Sequence, residues 1–356
     1  MTGMGNVREQ AAFQDFVGAS RRFWSERMLP VLTAEADAAR RGPAPIDEAT
    51  LAARLSERPT YDFFCWLERH LQRMKYSGPR GIVAALDARR DEFEAMLARP
   101  LPDGALRLDP DLALPGYYVD CDIHQQPGGL WSDPLGGAIY REAAGGSAGV
   151  VARSGLHDRF TSVVAAEMPE GWARLVDLGC GYGKSALPFA RSRPEAVTVG
   201  VDLAAPALRL AAQLAADMQA RNLRYLQADA RATGLPAGEA DVVTSTMVLH
   251  ELPPDVIEAM LREAHRLLRP GGLSIHLDFL PANDAFARLL HFGHGRRNNE
   301  PFMEPLARMD LAAAHRAAGF EAFRVTAFED EDGALDRPPD RKWRLPWAVV
   351  LARKPS

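Results

Sequence analysis

The stretch VDLGCGYGKS (176–185) ends an apolar run and then places three glycines within seven residues, Gly179, Gly181 and Gly183. Backbone with so few side chains turns sharply after a strand and lets a ligand approach with no Cβ in the way. The helix expected from about residue 184 presents free N–H groups and its positive dipole end at the same place. That chemistry suits a nucleotide-like ligand or a carboxylate. A dinucleotide-binding GxGxxG counted from Gly179 and Gly181 needs its third glycine at position 184, where Lys184 stands. The lysine also sets its charge against the helix dipole, and nothing in the sequence accounts for it.

Two acidic residues follow the glycines. VTVGVDLA puts Asp202 at the end of the second strand, 23 residues after Gly179, where a carboxylate accepts hydrogen bonds from two ribose hydroxyls. LQADARA places Asp229 where an acid accepts from an adenine amino group. STMVLHELP brings His250 and Glu251 directly after a fourth strand, and YYVDCDIHQQPGGLW concentrates Tyr117, Tyr118, Asp122, His124 and Trp131. LLHFGHGRRNNEPFMEPL (289–306) carries Arg296 and Arg297, a pair able to clamp a carboxylate, with Asn298 and Asn299 adding hydrogen bonds. A metal site from Asp122, His124 and His250 lacks any recognised ligand spacing, so no metal is expected.

The elements that must position these groups fall into two halves. Residues 1–112 read as helical throughout: from Thr60, a good N-cap, Phe63, Phe64, Leu67, Leu71 and Met74 recur at helical spacing, as do Ile82, Leu86, Phe93 and Leu97. Residues 99–149 are dense in Pro, Gly and aromatics, which predicts a loop-rich joint or short strands. From about 156 strands alternate with helices. Strands are expected at 174–178, 197–202, 224–228, 241–247, 273–279, 322–328 and 343–352, with helices near 184–191, 205–220, 254–268 and 308–318. The fold class is α/β: a seven-stranded, doubly wound, mostly parallel Rossmann-like sheet behind an all-helical N-terminal domain. EDEDGALDRPPDR is too short for a crossover helix, so the last strand is expected to run antiparallel, with that acidic loop as a solvated tip. The domain limits read as 1–112 for the helical cap or dimerisation unit, 113–155 for a lid or linker, and 156–356 for the α/β unit.

The bulk properties exclude several partners. A net charge of −5 over 356 residues gives no general attraction to nucleic acid or to an anionic membrane. No apolar run long enough to span a membrane occurs, and MTGMGNVREQAAFQ has no apolar core of a secretion signal. Cys65, Cys121 and Cys180 are odd in number and widely spaced, which predicts neither disulfides nor zinc and fits the cytoplasm.

Glycine loop, two acidic strand ends and the turn LLRPGGLSIH follow one another in the order and spacing of the class I S-adenosylmethionine-dependent methyltransferases, which residues 156–353 resemble. The resemblance implies S-adenosylmethionine as cofactor. Its methionine portion would lie on the loop 177–183 (Asp177, Gly179, Gly181, Gly183) and its ribose on Asp202 and Leu203. Asp229 and Ala230 would bracket the adenine, with Thr246 completing the set. Small-molecule O-methyltransferases with a helical N-terminal domain carry a catalytic histidine followed by an acid at the place of His250 and Glu251. Other members have a histidine there without that role. The implied acceptor is a small molecule, preferably an oxygen of a polar or carboxylate-bearing metabolite, contacted by Tyr118, His124, Trp131, Arg296 and Asn299. Nitrogen or sulfur acceptors, a non-catalytic cofactor-binding protein and a homodimer remain open.

Overall fold

The computed structural model describes residues 3–41, 45–145, 155–168, 171–280, 284–333, 335–336 and 345–356. Its sheet has eight strands: β1 (Leu106–Arg107), β2 (Arg174–Leu178), β3 (Val197–Asp202), β4 (Leu223–Gln227), β5 (Ala240–Thr246), β6 (Leu268–Phe279), β7 (Glu321–Ala327) and β8 (Trp347–Arg353). Their spatial order is β1-β4-β3-β2-β5-β6-β8-β7. The first six pair in parallel, and β8 lies antiparallel between β6 and β7, the orientation expected of the last strand. The eighth strand corrects the expected seven. Leu106 and Arg107 pair with Tyr225 and Leu226 on the edge of β4, and two residues are too few for alternation to reveal them. The Pro-Gly-Gly turn is a bulge inside β6, where pairing with β5 jumps from Ala240↔Leu268 to Val242↔Leu273.

All seven residues of β5 are buried, as a strand covered on both faces requires. Helix Pro254–Leu267 lays Ile257, Met260 and Leu261 against Val176, Val201 and Val243 on one face. Phe160, Phe189 and Ile275 belong to the core on the other. The chain winds from β2 through β3 to β4 in one direction, then returns past β2 to place β5 on its far side. A crevice therefore opens at the carboxyl ends of β2 and β5.

The N-terminal region comprises helices Gly3–Phe23, Leu29–Ala39, Glu48–Leu55, Pro59–Tyr76, Ile82–Asp87 and Arg90–Leu97, with a π-helical turn at Trp24–Met28. Its core of Val17, Trp24, Leu32, Leu51 and Phe64 also contains Phe286, Leu289 and Leu290. Those three come from helix Ala285–Asn298, which Asp284 caps by accepting from the N–H groups of Phe286 and Ala287. Most of the insertion 289–306 is thus helical and belongs to the N-terminal packing unit. Thr60 is not the cap of its helix: Pro59 takes the first turn, and the Thr60 hydroxyl donates to Glu35. The same helix leaves Phe63 48% exposed and turns Glu68, Gln72 and Lys75 inward at i, i+4 and i+7.

The joint folds as helix Gly116–Val119, a 3₁₀ turn at Ile123–Gln125 and helix Gly136–Gly145. Residues 146–154 of the expected lid, and 337–344 covering the rest of the acidic loop and the start of the expected last strand, lie outside the described residues. Among the described residues no helix is long and apolar enough to cross a membrane.

Glu68 ties the two halves together. It accepts hydrogen bonds from His294 Nδ1 (2.5 Å), Asn298 Nδ2 (3.2 Å) and Arg297 Nε. Burial alone would raise its pKa, but the Arg297 and His294 charges hold it down at about 2. Such a depressed carboxylate stabilises the fold above the unfolded pKa of about 4.3 and loses that contribution as pH falls towards 2. Glu68→Ala strands the Arg297 guanidinium and is expected to cost about 3 kcal/mol at neutral pH. A melting temperature lowered by roughly 6–12 °C is the expected reading, and an unchanged one contradicts this role.

Candidate active site

A cavity of about 520 Å³ opens at the carboxyl ends of β2 and β5. On the sheet side its wall includes Gly179, Gly181, Asp202, Leu203, Ala230 and Thr246. Gly179 and Gly181 have φ of +72° and +52°, and a Cβ on Gly179 would fall 2.5 Å from Val248 Cγ2, so only glycine fits. Gly181 N and Ala204 N donate to the two Asp202 oxygens at 2.8 Å each. A carboxylate has lone pairs for two further donors. Burial raises the Asp202 pKa to about 6 against those backbone hydrogen bonds. Thr246 Oγ1 is buried without a partner at the same rim. Bare backbone, a carboxylate with spare acceptor sites and an unsatisfied hydroxyl fit the polar edge of a nucleoside.

Three residues expected beside the cofactor are not in this wall. Gly183 serves packing, since a Cβ there would lie 2.2 Å from the Tyr225 hydroxyl. Asp177 is fully buried behind the loop, accepting from Ser185 Oγ at 2.5 Å, and burial pushes its carboxyl up to about 7. Asp229 is turned to Arg231, whose Nε and Nη2 donate to its carboxylate at 2.7–3.0 Å. The segment around Asp229 reaches the cavity through the small residues Ala228 and Ala230.

Opposite the glycine loop stands a group of histidines and carboxylates. His250 sits on the 3₁₀ turn Leu249–Glu251 after β5, and its Nδ1 donates to Asp278 Oδ1 at 2.7 Å. Asp278, at the end of β6, is fixed in turn by the N–H groups of Val248, Leu249 and Phe279 at 2.8–3.0 Å. The free Nε2 of His250 stands 3.9 Å from Glu251 Oε1 and 3.8 Å from Glu300 Oε2. His124 donates through both nitrogens, to Glu300 at 3.0 Å and to Glu251 at 3.1 Å. Burial works against both imidazolium charges. Asp278, Glu251 and Glu300 outweigh it at His250 and bring its pKa to about 9. Glu300 and Glu251 do the same at His124, to about 10. The acid that orients His250 is Asp278 rather than the adjacent Glu251, which His124 holds. Asp278 was recognisable as another carboxylate at a strand's carboxyl end, whereas Glu300 carried no such signal.

Tyr118 and His124 line the cavity, and the Tyr118 hydroxyl is buried without a partner. Trp131, Arg296 and Asn299 do not line it. The Trp131 indole covers Gly129, Arg296 pairs with Glu304 at the surface, and Asn299 ends its helix with φ +57° and donates to the Asp122 carbonyl. Arg297 is engaged by Glu68, so the expected arginine clamp is not available. Cys180 packs under the loop, and burial raises its thiol pKa. Asp330 and Glu331 of the acidic loop reach the cavity, which corrects its reading as a solvated tip. Among the described residues no group of three or more His, Cys, Asp or Glu is arranged to hold a metal ion.

A methyltransferase-domain family profile matches residues 175–272, the glycine loop through the Pro-Gly-Gly bulge. An uncharacterized methyltransferase of Synechocystis sp. is 30% identical over 152 residues, spanning 42% of this chain and 68% of that protein. The chain belongs to the class I S-adenosylmethionine-dependent methyltransferases. Within this family it is also similar to a demethylmenaquinone methyltransferase of Thermus thermophilus, 36% identical over 108 residues that cover 30% of this chain. The chain spans about half the length of that relative, 48%. Among solved structures, Haemonchus contortus phosphoethanolamine N-methyltransferase 2 in complex with S-adenosyl-L-methionine shares 14% identity. The similarity covers 63% of this chain and 58% of that one at a TM-score of 0.45. Helices 3–97 and the cavity wall they supply lie outside the matched profile.

Proposed function

We propose that this methyltransferase transfers a methyl group from S-adenosylmethionine to an oxygen of a small polar or carboxylate-bearing acceptor. The observation that carries the proposal is the His250–Asp278 pair, which fixes the ring through Nδ1 and leaves Nε2 at the cavity. The bound cofactor supplies an electrophilic methyl group on a sulfonium. Gly179, Gly181, Asp202 and Thr246 would hold it, with Leu203 and Ala230 beside the nucleoside. For a hydroxyl acceptor, His250 Nε2 takes the proton as the oxygen becomes nucleophilic, and Asp278 stabilises the resulting imidazolium. His250 must first lose the proton that its carboxylate neighbours favour, and a second cation in the cavity promotes that loss. Tyr118 and His124 stand on the acceptor side. A homodimer is the proposed assembly, supported by exposed Phe63 and Trp66 on the helical region.

The test is incubation of the full chain with S-adenosylmethionine and a panel of phenols, hydroxy acids, amines and thiols, with products read by mass spectrometry. An O-methyl product is expected. Methylation of amines or thiols alone, or none with demonstrated cofactor binding, refutes the proposal.

Lys184 acquires a role here. It lines the cavity beside Gly181 and Ser185, and among the described residues no carboxylate pairs with it. Burial lowers its pKa, a strain that an incoming carboxylate relieves. Lys184→Ala is expected to weaken S-adenosylhomocysteine binding about tenfold, the loss of one charge-assisted contact. Binding of 5′-methylthioadenosine, which lacks the amino-acid carboxylate, should not change. Equal losses for the two ligands in calorimetry rule out this role.

A further inference from the structure

The helical region contributes a second cationic end to the cavity. Lys75 is only 7% exposed, and its ammonium has no hydrogen-bond acceptor and no carboxylate partner among the described residues. Its one described contact is the Tyr76 ring, 4.8 Å from Nζ. Arg21, from the first helix, donates one hydrogen bond, from Nη1 to Gln72 Oε1 at 2.9 Å. Gln72 is spent between that bond and the His124 carbonyl, which it reaches at 2.6 Å. The Tyr76 hydroxyl is buried without a partner. Arg21, Gln72, Lys75 and Tyr76 all line the cavity.

A charged amine in a protein interior is costly, so burial, with the Arg21 guanidinium beside it, lowers the Lys75 pKa well below its ordinary value, and a carboxylate brought next to it would favour the charged form. Glu300 acts on both charges and Glu68 on Arg21, but neither forms an ion pair with them. Glu68 is held by Arg297, His294 and Asn298, Glu300 and Glu251 by His124, and Asp278 by His250. The cavity thus presents three groups with donor capacity to spare, an amine, a guanidinium and a phenol, none of them in an ion pair with a described carboxylate.

We infer that Arg21, Lys75 and Tyr76 form the binding site for a carboxylate on the methyl acceptor. The inference rests on the methyl-transfer reading of the cavity and names the acceptor class, an aromatic or similarly flat carboxylic acid. Flatness follows from the lining by Tyr117, Tyr118, Tyr140, Phe279, Phe302 and Trp347. A carboxylate fits better than a phosphate, because Glu300 and Glu251 share the cavity and repel a dianion more strongly. The cofactor's own carboxylate has its partner in Lys184 beside the glycine loop, which leaves this end for the acceptor.

The test is calorimetric titration of the full chain, saturated with S-adenosylhomocysteine, with phenylacetate, phenylacetamide and phenyl phosphate at neutral pH. Phenylacetate is expected to bind at least about tenfold tighter than the isosteric amide, and tighter than phenyl phosphate, the scale of one or two charge-assisted contacts. Lys75→Met and Arg21→Met should each bring the acid-to-amide ratio towards one while S-adenosylhomocysteine affinity stays within about twofold. Lys75→Met replaces a desolvated amine by an apolar side chain of similar length, so its melting temperature should match or exceed that of the wild type. Tyr76→Phe, nearly isosteric, should lower the ratio by a smaller factor.

Equal binding of acid and amide to the wild type overturns the inference, as does an unchanged ratio in both methionine variants. Loss of S-adenosylhomocysteine affinity in those variants also overturns it, since the cations would then serve the cofactor. Tighter binding of phenyl phosphate replaces the carboxylate by a phosphate. If S-adenosylhomocysteine does not bind the wild type, the methyl-transfer reading fails separately, and the same titrations without it still decide whether this end of the cavity prefers an anion.

Discussion

His250→Ala is expected to lower turnover about 10²–10⁴-fold, the contribution of a positioned general base, while leaving S-adenosylhomocysteine affinity nearly intact. The pH profile gives the sharper test. Burial opposes the His250 charge, but Asp278, with Glu251 and Glu300 behind it, raises the ring's pKa to about 9. A base acts in its neutral form, so kcat/KM should climb about tenfold per pH unit below that value and level off above it. The alanine variant should lose this limb. Asp278→Asn removes the largest charge favouring the imidazolium, and its limb should move towards the ordinary histidine pKa of about 6.5. A profile that is flat from pH 6 to 9 in the wild type, or an undiminished rate in His250→Ala, excludes the base and leaves a contact role.

Asp202→Ala is expected to weaken S-adenosylhomocysteine binding by about 10²-fold or more, because two hydrogen bonds to a charged acceptor are worth about 1.5–3 kcal/mol each. It also frees the N–H groups of Gly181 and Ala204, so the loop loses its anchor together with the ligand's. Asp202→Asn keeps an acceptor for one of those N–H groups and should fall between. In the wild type the pKa is raised to about 6, chiefly by burial. The carboxylate is the form that accepts from ribose, so affinity should be constant above that pH and fall as pH drops through it. Calorimetry between pH 5 and 8 reads this directly. Affinity independent of both pH and the alanine substitution removes Asp202 from the ribose site.

The α/β half was legible because its signals are local. The inner strands carry apolar runs such as LVDL and VGVD, and β2 and β3 fall on the expected residues. Gly179, Gly181, Asp202 and His250 were found by the same logic, each lying at or just after a strand's carboxyl end. The contacts that decide the rest are non-local. Glu68, Gln72 and Lys75 stand outside the apolar spacing of their helix, yet their stripe turns inward because partners more than 200 residues away satisfy Glu68. Hydrophobic patterning assigns polar residues outward and has no means of seeing a buried network. Arg296 and Arg297 were attractive as adjacent charges, but neighbours on a helix point in different directions, and each found its own carboxylate. Asp229 shows another limit of local reading, since Arg231 two residues on donates to its carboxylate.

Helix Ala285–Asn298 and the first helices form one packing unit although some 200 residues separate them in the chain. Selection or engineering that seeks a new acceptor must therefore exchange two separate stretches as one cassette. Grafting residues 3–97 alone onto a related catalytic half would set their core against a surface without Phe286, Leu289 and Leu290 and leave Glu68 without Arg297. Chimaeras that carry both stretches together are the ones that should keep a sealed chamber and inherit the donor's appetite for substrate.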